Sequence, residues 1–198
     1  MDNLDLNLVV SEALKLYHCD GPGRPYYDPE AMLKAFFLMI YKGFTSFRRL
    51  AKHLARHSLE AEMCGFDGRT PEQSTFSRFY KRTGRLFEAM FYDFVAQARK
   101  HGMYKFRVGV IDSTGIEAYS QRDESNRRGR SDPDAVVGKA HRRWFLGYNV
   151  HTICDGEVDL PVAFKVAPAN VNEKRLVKPL LNKLRSIRVR FWRLVGVK

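Results

Sequence analysis

The chain has 198 residues, with 34 bases against 22 acids for a net charge of +12, and 44% of its residues are hydrophobic. That apolar share excludes a disordered chain, and the longest apolar run, 35–41, is far too short to cross a bilayer. Acids stand at the N-terminus where a secretion signal would carry bases, so a cytoplasmic chain with no membrane partner is expected. Cys19, Cys64 and Cys154 are odd in number and widely spaced, which argues against a disulfide framework and against a zinc site. The positive balance favours an anionic partner, nucleic acid being the commonest. Residues 1–100 sum to +3 and residues 101–198 to +9, with +6 of that in 181–198.

Residues 4–17 suggest a short amphipathic helix, followed by a break rich in Pro and Gly at 20–30. Asp28, Pro29 and Glu30 then form a strong helix start, as N-cap, first helical position and acid at the positive end of the dipole. The helix that follows is apolar nearly all round, which marks it as a core element, and Gly43 stops it. Thr45 or Ser46 begins another helix. Phe47, Leu50 and Leu54 make its inner face, and Arg48, Arg49, Lys52 and Arg56 its outer one. That outer face is either merely solvated or a phosphate-contacting surface. His53 and His57 share one side of the helix without a metalloprotease pattern and read as polar surface. A short helix at 58–64, a loop, and a helix capped by Ser74 or Thr75 come next. The last of these carries Ser77, Arg78, Lys81 and Arg82 and would suit a helix-turn-helix reader. A helix from about 84 to 101, closed by Gly102, ends the helical half.

From residue 105 the pattern changes to strands. Val108, Val110 and Ile111 predict a short buried strand that delivers Asp112 to its edge, before a turn at Ser113, Thr114 and Gly115. A buried carboxylate has to be hydrogen-bonded, paired or metal-bound. The competing reading is that Asp112 accepts hydrogen bonds from the turn after it. Residues 120–142 have neither helical nor strand periodicity and read as a mobile loop carrying Arg127, Arg128 and Arg130. A strand over 144–155, a turn and a partner strand over 161–168 follow. Asn170 or Asn172 caps a final helix, which Pro179 interrupts, and 189–197 reads as a closing strand.

Seven segments in order, GRPYYDPEAMLKAFFLMIYKGFTSFRRLAKHL, CGFDG, STFSRFYKR, VIDSTGIEAY, SDPDA, FLGYNVHTICD and PVAFKVAPANVNE, resemble the insertion-sequence transposases of the DDE type, in their InsH-like branch. The resemblance spans roughly 22–187. It implies an α+β chain: an all-helical DNA-binding domain over 1–102, then an incomplete ribonuclease-H-like α/β domain over 103–198. It also implies metal-dependent DNA strand cleavage and transfer, with three carboxylates holding two Mg2+ (or Mn2+) ions. Asp112 matches the first carboxylate, as catalytic residue and metal ligand. The strand where the second belongs ends without an acid, so a C-terminally truncated copy, inactive alone, is expected.

Other acids considered as substitutes are Asp132, Asp134 and Glu173, with helix capping as the competing reading of Glu173. His151 and Glu173 are expected as groups supporting Asp112 from behind. The implied partner is double-stranded DNA, both terminal repeats and target, with Arg48, Arg49, Lys52, Arg78, Lys81, Arg82, Arg127, Arg128 and Arg130 as its contacts. A homo-oligomer, or a mixed oligomer with an intact transposase, is the further expectation, and an inhibitory non-catalytic fragment is the alternative function.

Overall fold

The computed structural model describes residues 5–17, 25–140 and 143–196. The chain divides into two compact units, residues 1–93 and 94–198. Cys19, residues 20–24 of the break, His141 and Arg142 of the predicted loop, and Val197 at the end of the predicted closing strand lie outside the described residues.

Among the described residues the first unit is helical: α1 (Asn7–Leu14), α2 (Pro29–Tyr41), α3 (Phe47–Leu54), α4 (Ser58–Cys64) and α5 (Gln73–Thr83), with the start of α6 (Leu86–Lys100). The caps follow from local chemistry. Asp28 Oδ1 accepts the Glu30 N–H at 3.0 Å, and Ser46 Oγ accepts the Arg49 N–H at 3.4 Å. The predicted cap of α5 is corrected. After Pro71 the chain is extended at Glu72, whose carbonyl accepts from Thr75 and Phe76, so Ser74 and Thr75 lie inside the first turn. The unit is organised around Phe36 of α2, whose ring lies 5.5 Å from Phe47, 6.0 Å from Phe76 and 5.6 Å from Phe79. These aromatics pack α3 and α5 together over α2. His53, expected at the surface, is half-buried: it packs on Phe44 and meets Glu60 at 2.7 Å.

Among the described residues the second unit holds the end of α6 and then a mixed five-stranded sheet with one further helix: β1 (Val108–Glu117), β2 (Val136–Ala140), β3 (Arg143–Asp155), β4 (Leu160–Pro168), α7 (Lys174–Ser186) and β5 (Arg193–Gly196). β3 lies between β1 and β4, antiparallel to both. β5, arriving after α7, pairs parallel with β1. Three antiparallel strands, a crossover helix and a strand parallel to the first is the ribonuclease-H-like order, so the fold is helical region followed by α+β sheet. The small β2 extends the sheet against the start of β3.

Leu176, Leu180 and Leu184, four residues apart on α7, are buried, as are Ile153, Val162 and Ala163 on the strands that α7 packs against. α7 runs through Pro179 without a break in its assignment. Gly147 of β3 is required by close approach, since a Cβ there would fall 2.0 Å from the Ile116 carbonyl oxygen.

Two sequence expectations are corrected in this unit. β1 does not end at Asp112: Ser113 to Glu117 pair in register with His151 to Gly147, because the long partner strand overrides the turn preference of Ser, Thr and Gly. Residues 120–135 are not a mobile loop. Asp123 accepts from the Ser125 N–H at 3.0 Å and from Asn126 Nδ2 at 3.1 Å, and Arg122 bridges to Gly129 and Arg128 to Val136. The segment is a hydrogen-bonded finger leading into β2.

Candidate functional site

Successive strand residues face opposite sides of a sheet, and this alternation decides what surrounds Asp112. Its face carries Val110 and Thr114 of β1 and their cross-strand neighbours Cys154, Thr152 and Val150 of β3. α7 covers the other face, where Phe145, Asn149, His151 and Ile153 are buried. Asp112 is therefore exposed, at the middle of the strand that β3 and β5 flank. Its Oδ1 accepts the Ser113 N–H at 2.7 Å. The expected burial of this acid does not occur, so solvent carries its charge. The Cys154 thiol on the same face is pushed up by burial first, then by the negative charges of Asp159 and Asp112.

His151 and Glu173 lie on the covered side and are brought together around Ser113. The Ser113 hydroxyl donates to Glu173 Oε1 at 2.5 Å, and His151 stands directly across from Ser113 in the β1–β3 register. His151 is 2% exposed and its Nε2 has no hydrogen-bond partner. Burial holds its pKa below the usual histidine value, partly opposed by Glu173. Glu173 does not cap α7 with its side chain. Asn172 Oδ1 does so, accepting the Lys174 N–H at 2.9 Å. The sheet separates this group from Asp112, so neither His151 nor Glu173 is brought to the Asp112 carboxylate.

Asp132 is reached by Tyr148, which belongs to the Asp112 face. The Tyr148 hydroxyl donates to Asp132 at 2.7 Å, and burial, followed by that bond, pushes its pKa up to about 12. Four residues of β3 separate Tyr148 from the position opposite Asp112, roughly 13 Å along the strand. Asp132 thus ties the finger to β3, and Asp134 is exposed on the finger. Arg127, Arg128 and Arg130 are exposed on it.

Magnesium requires a nearly octahedral set of oxygen ligands, usually with more than one carboxylate. Among the described residues no group of three or more His, Cys, Asp or Glu could hold a metal ion. Asp112 with nearby threonine hydroxyls does not fit a two-ion centre of Mg2+ or Mn2+.

In the helical unit Arg48, Arg49 and Lys52 are exposed on α3, and Arg78, Lys81 and Arg82 on α5. Arg82 lies over the Tyr17 ring at 5.3 Å, and Arg48 Nε donates to Gln73 at 3.4 Å. Sequence reasoning missed Asp155, the buried acid of the second unit. Its Oδ2 accepts the N–H groups of Lys105 and Phe106, both at 2.7 Å, and its Oδ1 that of Glu157 at 3.1 Å. The one local signal was an Asp before Gly at the end of a strand.

Residues 2–82 match the transposase domain family DUF772, and residues 104–195 match the transposase DDE domain family. The two matches take the helical unit and the sheet unit in turn. The chain belongs to the DDE-type insertion-sequence transposases. No curated protein matches the sequence of this transposase. A solved structure, the Mos1 transposase paired-end complex with left transposon end, is similar at 14% identity and a TM-score of 0.24, over 87% of this chain and 53% of the other. The transposase therefore spans about half the length of that solved chain. No helix among its described residues is long and apolar enough to cross a membrane.

Proposed function

We propose that this transposase binds duplex DNA through the basic faces of α3 and α5 and the arginine finger, and that Asp112 stands where the first carboxylate of the family's strand-transfer centre would be, the other ligands of such a centre lying outside the described residues. The observation that carries this reading is the position of Asp112, an exposed acid at the middle of an interior strand, within the part of the chain that matches the DDE domain family. The six bases on α3 and α5, with no acid on either helix, supply the electrostatic half. The test is fluorescence anisotropy with duplex carrying the element's terminal repeats, at increasing salt. Phosphate neutralisation releases counterions, so affinity is expected to fall steeply between roughly 50 and 200 mM salt. Affinity unchanged over that range would refute DNA binding through these faces.

A second reading has one observation in its favour. Glu173 and His151 face away from Asp112, and the described residues supply no further ligand set. On that reading the chain is a non-catalytic DNA- or transposase-binding module that inhibits an intact transposase by forming mixed oligomers. Added to an active relative, it would co-purify with it and depress strand transfer in proportion to its concentration. A chain that stays monomeric and leaves the relative's activity unchanged would exclude it.

A further inference from the structure

α3 and α5 are both basic, yet they expose different chemistry. The outward face of α3 offers only cations, Arg48, Arg49 and Lys52, while Leu50 and Leu54 point into the core. Its one hydroxyl group, Ser46, is occupied as the N-cap, and His53 is held by Glu60. Long cationic side chains suit phosphate oxygens, and a face without free hydroxyl groups has fewer ways to tell one base edge from another.

α5 buries Phe76, Phe79 and Thr83. The stripe directly opposite is Ser74, Ser77, Arg78 and Lys81, at the i, i+3, i+4, i+7 spacing of one helix face. Ser74, Arg78 and Lys81 are exposed and Ser77 half-exposed. This stripe combines hydroxyl groups, which donate and accept, with a guanidinium that can meet a guanine edge in two places. It covers about 10 Å of helix, the length of roughly three base-pair steps. No acid interrupts it on α5. The two helices are held as a pair by aromatic contacts, Phe47 lying 6.5 Å from Phe76 and 5.6 Å from Tyr80. A reading stripe and a phosphate grip are thereby fixed at one spacing.

We propose that α5 reads base edges in the major groove of duplex DNA through Ser74, Ser77, Arg78 and Lys81, while α3 holds the phosphates through Arg48, Arg49 and Lys52. This rests on the reading of the chain as a duplex-binding transposase, and it adds which helix confers sequence preference. Phosphate contacts set register and orientation, and base contacts set sequence, so the two helices make different demands on a DNA probe.

The experiment uses the full chain and a library of duplexes with a randomised 20-base-pair centre, selected over several rounds and sequenced. The wild-type chain is expected to enrich a motif about three to four base pairs long. In Ser74→Ala/Ser77→Ala and in Arg78→Ala, preference at one or more positions of that motif is expected to fall by about 5- to 150-fold. Affinity for random duplex should change less than twofold in the double serine variant. In Arg48→Ala/Arg49→Ala/Lys52→Ala the motif should stay the same while affinity falls uniformly, and the slope of log affinity against log salt should shrink by about 2.7. All these side chains are exposed except the half-buried Ser77, and an unchanged helical circular dichroism melt confirms each variant is folded. Duplex binding with no enriched motif, or a motif altered by the α3 variant and untouched by the α5 variants, overturns the division of roles and leaves DNA binding standing. Absence of any duplex binding overturns both.

Discussion

Asp112 and Ser113 are adjacent on β1 and face opposite sides of the sheet. The carboxylate of the first stands in solvent, and the hydroxyl of the second reaches the exposed Glu173, just before α7, at 2.5 Å. Side-chain alternation therefore separates the residue with the chemical assignment from the residue with the structural one. Asp112→Asn is expected to leave stability within about 0.5 kcal/mol of wild type, because an exposed acid with one local hydrogen bond contributes little. Ser113→Ala removes a hydrogen bond to the exposed Glu173, which water can replace, and should cost about 0.5 to 1 kcal/mol. Both substitutions lie in the sheet unit, and urea unfolding followed by far-ultraviolet circular dichroism compares them. A large loss in Asp112→Asn would show that the acid supports the fold.

His151 introduces a pH dependence of definite sign. Burial lowers its pKa in the folded state, and the nearby Glu173 only partly offsets this. Above the ordinary histidine value both folded and unfolded forms are neutral, and the residue has no effect. As the pH drops below about 6.5, the unfolded chain takes up a proton that the folded chain resists, and stability falls. His151→Leu should remove that acid limb from the sheet unit. Glu173→Gln removes the opposing charge and should make the limb steeper. Urea unfolding followed by far-ultraviolet circular dichroism between pH 7.5 and 5 is the measurement, and parallel curves for wild type and His151→Leu would contradict the assignment.

Asp155 is 0% exposed, so its desolvation would by itself raise the carboxyl pKa. The backbone N–H groups of Phe106, Glu157 and Lys105, with the Lys105 charge, outweigh that, and the net direction is down. A buried carboxylate that satisfies three donors ties the segment entering β1 to the end of β3. Asp155→Ala would leave those donors unpaired and is expected to destabilise the sheet unit by about 3 kcal/mol, with Asp155→Asn costing less because one acceptor survives. The stabilisation is complete above the unfolded carboxyl pKa and is lost as the pH falls through the lowered one. Equal effects of the Ala and Asn variants would argue against backbone hydrogen bonding as the cause.

What could be read before the structure was local. Asp28 with Pro29, and Ser46 before the Phe47 helix, are caps set by a few consecutive residues, and they stand where the pattern places them. The order of three antiparallel strands, a helix and a further strand was legible because each element carries its own hydrophobic period. The extent of β1 was not, since Ser113 to Glu117 become strand only through pairing with β3. The same holds for residues 120–135, where Ser131 donates to Ser120 and Tyr148 to Asp132 across sequence distances that no window of periodicity reports. The role of Glu173 was hidden for a related reason. It lies one residue past the capping Asn172, and its direction depends on how α7 docks on the sheet.

The helical unit offers an independent test through Glu60. Its carboxylate accepts from Lys42 at 2.9 Å and meets His53 at 2.7 Å, and these bonds, that of Lys42 first, hold its pKa at about 2. The bonds link α4 to the end of α2 and to α3, so the group braces the helices that present the basic face. The Glu60 side chain keeps 27% of its surface exposed, and solvent screening limits the net effect to about 0.5 to 1 kcal/mol. A depressed carboxyl pKa stabilises above the unfolded value near 4.5, and the contribution disappears as the pH falls from there towards 2. Glu60→Gln is therefore expected to be less stable than wild type at pH 6, with the gap narrowing as the pH falls through that window. Helical circular dichroism during urea unfolding at pH 6 and at pH 3 measures it. A gap of equal size at both values would mean that the amide disturbs packing, and that the ionised carboxylate is not what holds these helices together.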